Sequence, residues 1–326
     1  MARSTWITIL AGLGLTILPL VASDFHIFLF TKILFLSLAS ASFILLAGYG
    51  GMLSLAQAAF FGVAGYIVAR LSLFHDMPIW QVAPLPLLGA VLLSAAFALI
   101  AVRTKKLYFL MMTLALSQLT YYGALQWFSI TGGYDGLTGM ERPVIFGYEL
   151  TSSGQLYYFA LAPVFLCYLF LKRLVASPFG LALQGIRDST KRMAALGFNV
   201  PIHRFLAIVV SGGVAGLAGV IATYFYGMIA PTTVSLGTAV MILFIALLGG
   251  IGRFEGALVG ALVYVLVEDF ASMYTLRYQT LIGLLFILIV LFFPGGITGV
   301  RFRRDGKIAG LIKAWRNKRG LKKTSM

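Results

Sequence analysis

Ten apolar runs, each close to the length needed to cross a bilayer, dominate this chain and leave few folds open to it. They lie at approximately 5–22, 26–46, 52–73, 81–102, 107–128, 156–172, 203–227, 233–250, 256–271 and 278–294. A helix needs roughly 20 mostly apolar residues to cross about 30 Å of hydrocarbon, and inside lipid its backbone polar groups must be satisfied within the segment. Hydrophobic residues make up 60% of the 326-residue chain and charged residues 11%, with a mean hydropathy of +0.96. One soluble core cannot absorb that much apolar sequence. The expected fold is therefore all-α, a polytopic membrane protein of about ten transmembrane helices. A broken or re-entrant helix is expected at the glycine-rich entry to the third run and between 233 and 271.

The placement of charge then sets a topology. A net charge of +15 would suggest nucleic acid in a soluble protein. Here, with the N-terminus inside, the basic residues sort by side. The inner segments collect Arg3, Arg103, Lys105, Lys106, Lys172, Arg173, Arg187, Lys191, Arg192, Arg204, Arg253 and the basic residues from Arg301 to Lys323. Only Lys32, Arg70, Arg142 and Arg277 are left for the outer half, which receives Asp24, Asp76, Asp135, Glu141, Glu149, Glu268 and Asp269. The positive-inside rule reads this as N-in and C-in, and the placement of the charge answers the nucleic-acid reading with membrane topology instead.

Several chemistries are disfavoured. Cys167 is alone, and His26, His75 and His203 are too scattered for a metal-ligand spacing. No phosphate-binding loop occurs: Gly306-Lys307-Ile308 lacks both the first glycine and the hydroxyl residue. No nucleotide binds by that route, so any ATP and its magnesium belong to partner subunits. No cluster of His, Asp, Ser or Cys suggests a membrane-embedded enzyme. No buried acidic or histidine relay suggests proton coupling. The chain reads as one membrane domain at 1–300, with a loop at 173–205, followed by a basic cytoplasmic tail at 301–326. In the tail Ile308, Leu311, Ile312 and Trp315 recur at helical spacing beside Lys307, Lys313 and Arg316, a pattern suited to membrane lipid. Arg3 and the apolar run ending near Ser23 are read as a first span rather than a cleaved signal peptide.

One segment does not look built for lipid. From Ser177 to Pro201, Phe179, Leu183, Ile186, Thr190 and Met193 form a one-sided stripe beside Arg187, Asp188, Lys191 and Arg192. Ser177 can cap this helix, Pro178 suits its first position, and Gly197, Asn199 and Pro201 are stop signals. A surface helix where a short turn would serve suggests a docking partner. In GYGGMLSLAQAAFFGVAGY (48–66), glycines around Tyr49 disfavour a regular helix, and Ser54 and Gln57 fall three apart as the third span begins. This is either a substrate path or a satisfied packing pair. In the fifth run, Thr113 with Ser117 and Gln118 with Tyr122 repeat at a spacing of four, suited to an uncharged passage or to interhelical hydrogen bonds. Gly212 with Gly216, and Gly256 with Gly260, read as packing pairs, and Arg253 and Glu255 sit in a tight inner turn.

Taken together these strings resemble the permease subunits of branched-chain amino acid ABC transporters, in the LivM-like branch. The resemblance runs from about residue 27 to 300. It rests on GYGGMLSLAQAAFFGVAGY, Thr113-Leu114 with Gln118, TGGYDGLTG from Thr131, FGLALQGIRDSTKRMAALGFN from Phe179, SGGVAGLAG from Ser211, GMIAP from Gly227, GGIGRFEG from Gly249, and Pro294-Gly295-Gly296. It implies two ATP-binding subunits, a second homologous permease subunit and an extracytoplasmic substrate-binding protein. It also implies that Arg187, Asp188, Arg192, Ala194, Ala195 and Gly197 match the cytoplasmic coupling motif that fits the ATP-binding subunit. Ser54, Gln57, Thr113 and Gln118 are the candidate substrate path. Where the family commonly has Gly-His after Ser-Leu, this chain has Ala56-Gln57. The expected cargo is a branched-chain amino acid. The alternatives are urea or short-chain amides, or a stand-alone channel or carrier.

Overall fold

The computed structural model describes residues 16, 19, 23–75, 82–104, 107–140, 142–145, 148–150, 152–274, 277–292 and 296–299. Most of the expected first span at 5–22, and the whole tail at 301–326, lie outside these residues, as do Pro294 and Gly295.

The axis of the bundle is helix α1 (Asp24–Ile44), which runs on through a π-helical turn, Leu45–Tyr49. A helix apolar on every side has no face for water and belongs at the centre of a membrane bundle. Accordingly 89% of the most apolar window in Asp24–Tyr49 is buried, against 28% in the peripheral helix Ser153–Ala176. The chain then runs irregularly from Gly50 to Ala56 before α2 (Gln57–His75), α3 (Pro84–Ala101) and α4 (Leu107–Gln126). The break expected near Tyr49 is present. Its cause is local: Gly51 takes φ +65°, a conformation that ends a right-handed helix.

After α4 come a short helix α5 (Phe128–Thr131) and three two-residue strands, β1 (Leu137–Thr138), β2 (Val144–Ile145) and β3 (Tyr148–Glu149). Helix α6 (Ser153–Ala176) starts from a capping box between Ser152 and Gln155. The segment from 177 folds as two short helices, α7 (Pro178–Asp188) and α8 (Thr190–Ala195), not the single helix the stripe suggests. Ser189 is the reason. Its backbone is extended, and its side chain accepts from the Arg192 N–H, capping a new helix instead of continuing the old one.

Helix α9 (Val200–Tyr226) follows, then β4 (Met228–Ile229), a 3₁₀ turn at Pro231–Val234, α10 (Leu236–Gly249), α11 (Phe254–Tyr274), α12 (Tyr278–Phe292) and α13 (Gly296–Gly299). Helix α9 packs along α2, α3 and α1, while α1 also meets α11, α6 and α10. Two apolar clusters result, and α9 is their common wall: Ala218 and Ile221 face the α1 side, Ala207 and Ala215 the α2–α3 side. Such close packing needs small residues, because lipid supplies no hydrophobic drive between helices and attraction comes from contact. A β-carbon on Gly212 would strike Ser94, on Gly216 Ala90, and on Gly260 the Ile245 carbonyl.

Six helices among the described residues are long and apolar enough to cross a membrane: Asp24–Tyr49, Gln57–Phe74, Pro84–Ala101, Ser153–Ala176, Val200–Tyr226 and Phe254–Tyr274. The other described apolar runs are also helical but differ in kind. Helix α4 carries Thr113, Ser117, Gln118, Thr120, Tyr121 and Tyr122 among its apolar residues. Helix α10 has 14 residues and α12 has 15. At 1.5 Å per residue α10 reaches roughly 21 Å, short of a bilayer core of about 30 Å. The re-entrant or broken helix expected after residue 233 corresponds to the 3₁₀ turn and short α10.

Candidate functional site

The contacts sort into two ends of the bundle. At one end, Arg187 Nη1 donates to the Gly48 carbonyl at 2.6 Å, Lys172 meets Glu255 at 2.6 Å, and the Thr298 hydroxyl donates to the Gly249 carbonyl. At the other end, β1 pairs with β4, Leu137 against Ile229 and Thr138 against Met228, and Lys32 meets Glu268 at 2.9 Å. Among the described residues Lys172, Arg187 and Glu255 share the first end, and Lys32 and Glu268 the second. The TGGYDGLTG loop is held on the segment after α9 because Gly136, at φ +72°, lies directly on the Ile229 carbonyl. Any β-carbon there would collide with it.

The 177–200 segment has a fixed half and a free half. Ser177 caps α7 by accepting from the Gly180 N–H, and Pro178 occupies its first turn. The stripe then works as its spacing implies: Leu183 and Ile186 are fully buried against the bundle. Arg187 ties the end of α7 to the π-helical break, and its Nε also donates to Asp188 Oδ1 at 3.0 Å. Helix α8 turns back on α7, with Met193 against Gly185, and buries none of its own residues. Arg192, Ala194, Ala195 and Gly197 are exposed, together with Leu196 at 72% and Phe198 at 41%. Gly197 takes φ +88° with open space around it, which lets the chain close α8 and enter α9, whose cap is Asn199. The result is an exposed, basic-and-apolar knob on a buried stem.

The four path residues separate. Ser54 lies in the irregular segment before α2, not on one helix face with Gln57, because the helix begins only at Gln57. Its hydroxyl accepts from the Ala56 N–H. Thr113 is buried, donates to the Leu110 carbonyl and accepts from the Leu55 N–H, so it clamps this irregular segment against α4. Gln57 points the other way, donating to Ser211, whose hydroxyl donates to the Ser42 carbonyl on α1. Gln118 is half-buried, and its neighbour in the second polar pair, Tyr122, is 57% exposed. The Gln57 Oε1 and Ser117 Oγ atoms are buried with no hydrogen-bond partner among the described residues. Sequence reasoning missed the Gln57–Ser211–Ser42 relay, since its members lie too far apart for any spacing rule. The structure also joins Glu255, in the first turn of α11, to Lys172 on α6, a pairing no local spacing gives.

Residues 26–293 match the family of permease components of branched-chain amino acid transport systems. The chain belongs to that family. This permease is similar to the high-affinity branched-chain amino acid transport system permease protein LivM of Salmonella typhimurium, at 24% identity over 77% of this chain and 64% of the relative. It is also similar to the probable branched-chain amino acid transport permease protein LivM of Methanocaldococcus jannaschii, at 25% over 76% of this chain and 80% of the relative. The third relative is the LivH permease protein of Escherichia coli, at 32% over 38% and 40%. The chain thus spans 64% of the length of the Salmonella LivM protein. No solved structure matches it. Among the described residues no group of His, Cys, Asp or Glu is placed to hold a metal.

Proposed function

We propose that this chain is a membrane subunit of an ATP-driven importer for branched-chain amino acids. In this reading it is a transport subunit rather than an enzyme. It pairs with a second homologous permease, two ATP-binding subunits and an extracytoplasmic binding protein, and spans the inner membrane about ten times with both termini inside. The observation that carries the reading is the family match over 26–293, joined to the fixed stem and exposed knob at 177–200. Two relatives from Escherichia coli, LivM and LivH, carry the same system name, which supports a paired permease. ATP and its magnesium are then bound by the partner subunits. Closure of those subunits pushes on Arg192, Ala194, Ala195 and Gly197. Arg187, with Asp188 beside it, passes the movement through Gly48 to the broken helix.

For the substrate path this reading keeps Ser54, Gln57, Thr113 and Gln118. The unpartnered Gln57 Oε1 supports it, as an uncharged acceptor suited to the ammonium group of a zwitterion.

The test is uptake by the complex in proteoliposomes, with ATP inside and the binding protein outside. Labelled leucine should accumulate and urea should not. A double variant, Gly197→Trp with Arg187→Glu, should insert normally yet lose uptake while ATP is still hydrolysed. Unchanged uptake by that variant, or accumulation without ATP-binding subunits, would sink the proposal.

A further inference from the structure

Between the 177–200 segment and the broken helix lies a cavity of about 140 Å³. A single water needs only roughly 10–15 Å³ on this measure, so there is room for a small molecule. Arg187 and Arg204 line it with Thr104 and Thr190, and among the described residues no aspartate or glutamate does. Its remaining walls are apolar, from Met52, Phe109 and Ile186.

The two arginines are not equally engaged. Arg187 gives Nη1 to the Gly48 carbonyl and Nε to Asp188. Arg204 gives Nη2 to Thr190 at 3.2 Å, but its Nε is buried with no acceptor among the described residues. Both threonine hydroxyls already donate to backbone carbonyls, Thr104 to Ala101 and Thr190 to Ile186. Arginines lining a cavity with no acidic residue among its described lining are costly to keep charged, and a bound oxyanion would offset that cost.

We infer that this cavity binds one small oxyanion, held by Arg204 with Arg187 as a second charge, and that its apolar walls suit the short aliphatic group of a carboxylate. Inorganic phosphate offers the same oxyanion chemistry without the aliphatic group. The site joins five stretches of chain: the segment after the π turn, the ends of α3 and α4, the α7–α8 elbow and the first turns of α9.

The full chain in phosphatidylcholine nanodiscs is titrated calorimetrically with 4-methylpentanoate, leucine, leucinamide and phosphate. The carboxylates should bind and leucinamide, which lacks the carboxylate, should not. Arg204→Gln should weaken binding by about tenfold or more, and Arg204→Lys should fall between. Phosphate binding with the same Arg204 dependence also supports the oxyanion site and names the inorganic source. Absence of binding by every anion overturns the inference, as does wild-type affinity in a folded Arg204→Gln chain. If that variant is misfolded, wild-type affinity in Arg204→Lys overturns it instead. No ATP-binding partner is present, so this result is independent of the uptake experiment.

Discussion

Gly197 shows how one backbone angle can matter without a contact. At φ +88°, with open space where a β-carbon would sit, it is replaceable by alanine in space but not in conformation. Gly197→Ala should cost about 1 kcal/mol locally, loosening 190–199 without lowering the melting point of the bundle. Hydrogen exchange should show faster amide exchange there alone; uniform protection as in the parent would contradict this. Ser189 teaches the complementary lesson. Its hydroxyl makes a helix end where a stripe of apolar residues makes one continue, and the cap wins because Met193 can still reach Gly185 across the elbow. That Ser177 caps and Leu183 and Ile186 bury was legible from spacing. The hydrogen bond from Arg187 to Gly48, across 139 positions, was not.

At the scale of elements, α11 is fastened at both ends by charge, Glu255 to Lys172 on α6 and Glu268 to Lys32 on α1. The Lys32 and Glu268 side chains are only 22% and 20% exposed, so this pair is screened less than a surface pair. A double-mutant cycle on Lys32→Met and Glu268→Gln should give a coupling of about 1–2 kcal/mol in thermal unfolding. A coupling near zero would show that the pair is incidental. Gln57→Leu should halt leucine uptake more than it lowers stability, if Oε1 faces the solute; equal loss of both would reduce Gln57 to packing. Opposite charges on one membrane side were visible in the chain, yet which acid met which base depended on helix neighbours.

For the molecule as a whole, labelling from each side of the membrane can test the orientation expected from charge. With Cys167 replaced, cysteine at Tyr134, 82% exposed, should be labelled from outside the cell, and cysteine at Ala194 only from inside. The reverse pattern would invert the topology. What the amino-acid sequence determined alone was the class of fold, the break near Tyr49 and the capped segment at 177. These follow from hydropathy, glycine and nearby caps, all of which act over a few residues or sum over a span. Only the tertiary structure decided that α1 is the axis, that α9 divides two cores, that Gln57 and Thr113 face different neighbours, and that two arginines share a cavity. Those depend on which helices touch, and contact between helices in lipid is set by shape, which no single helix encodes.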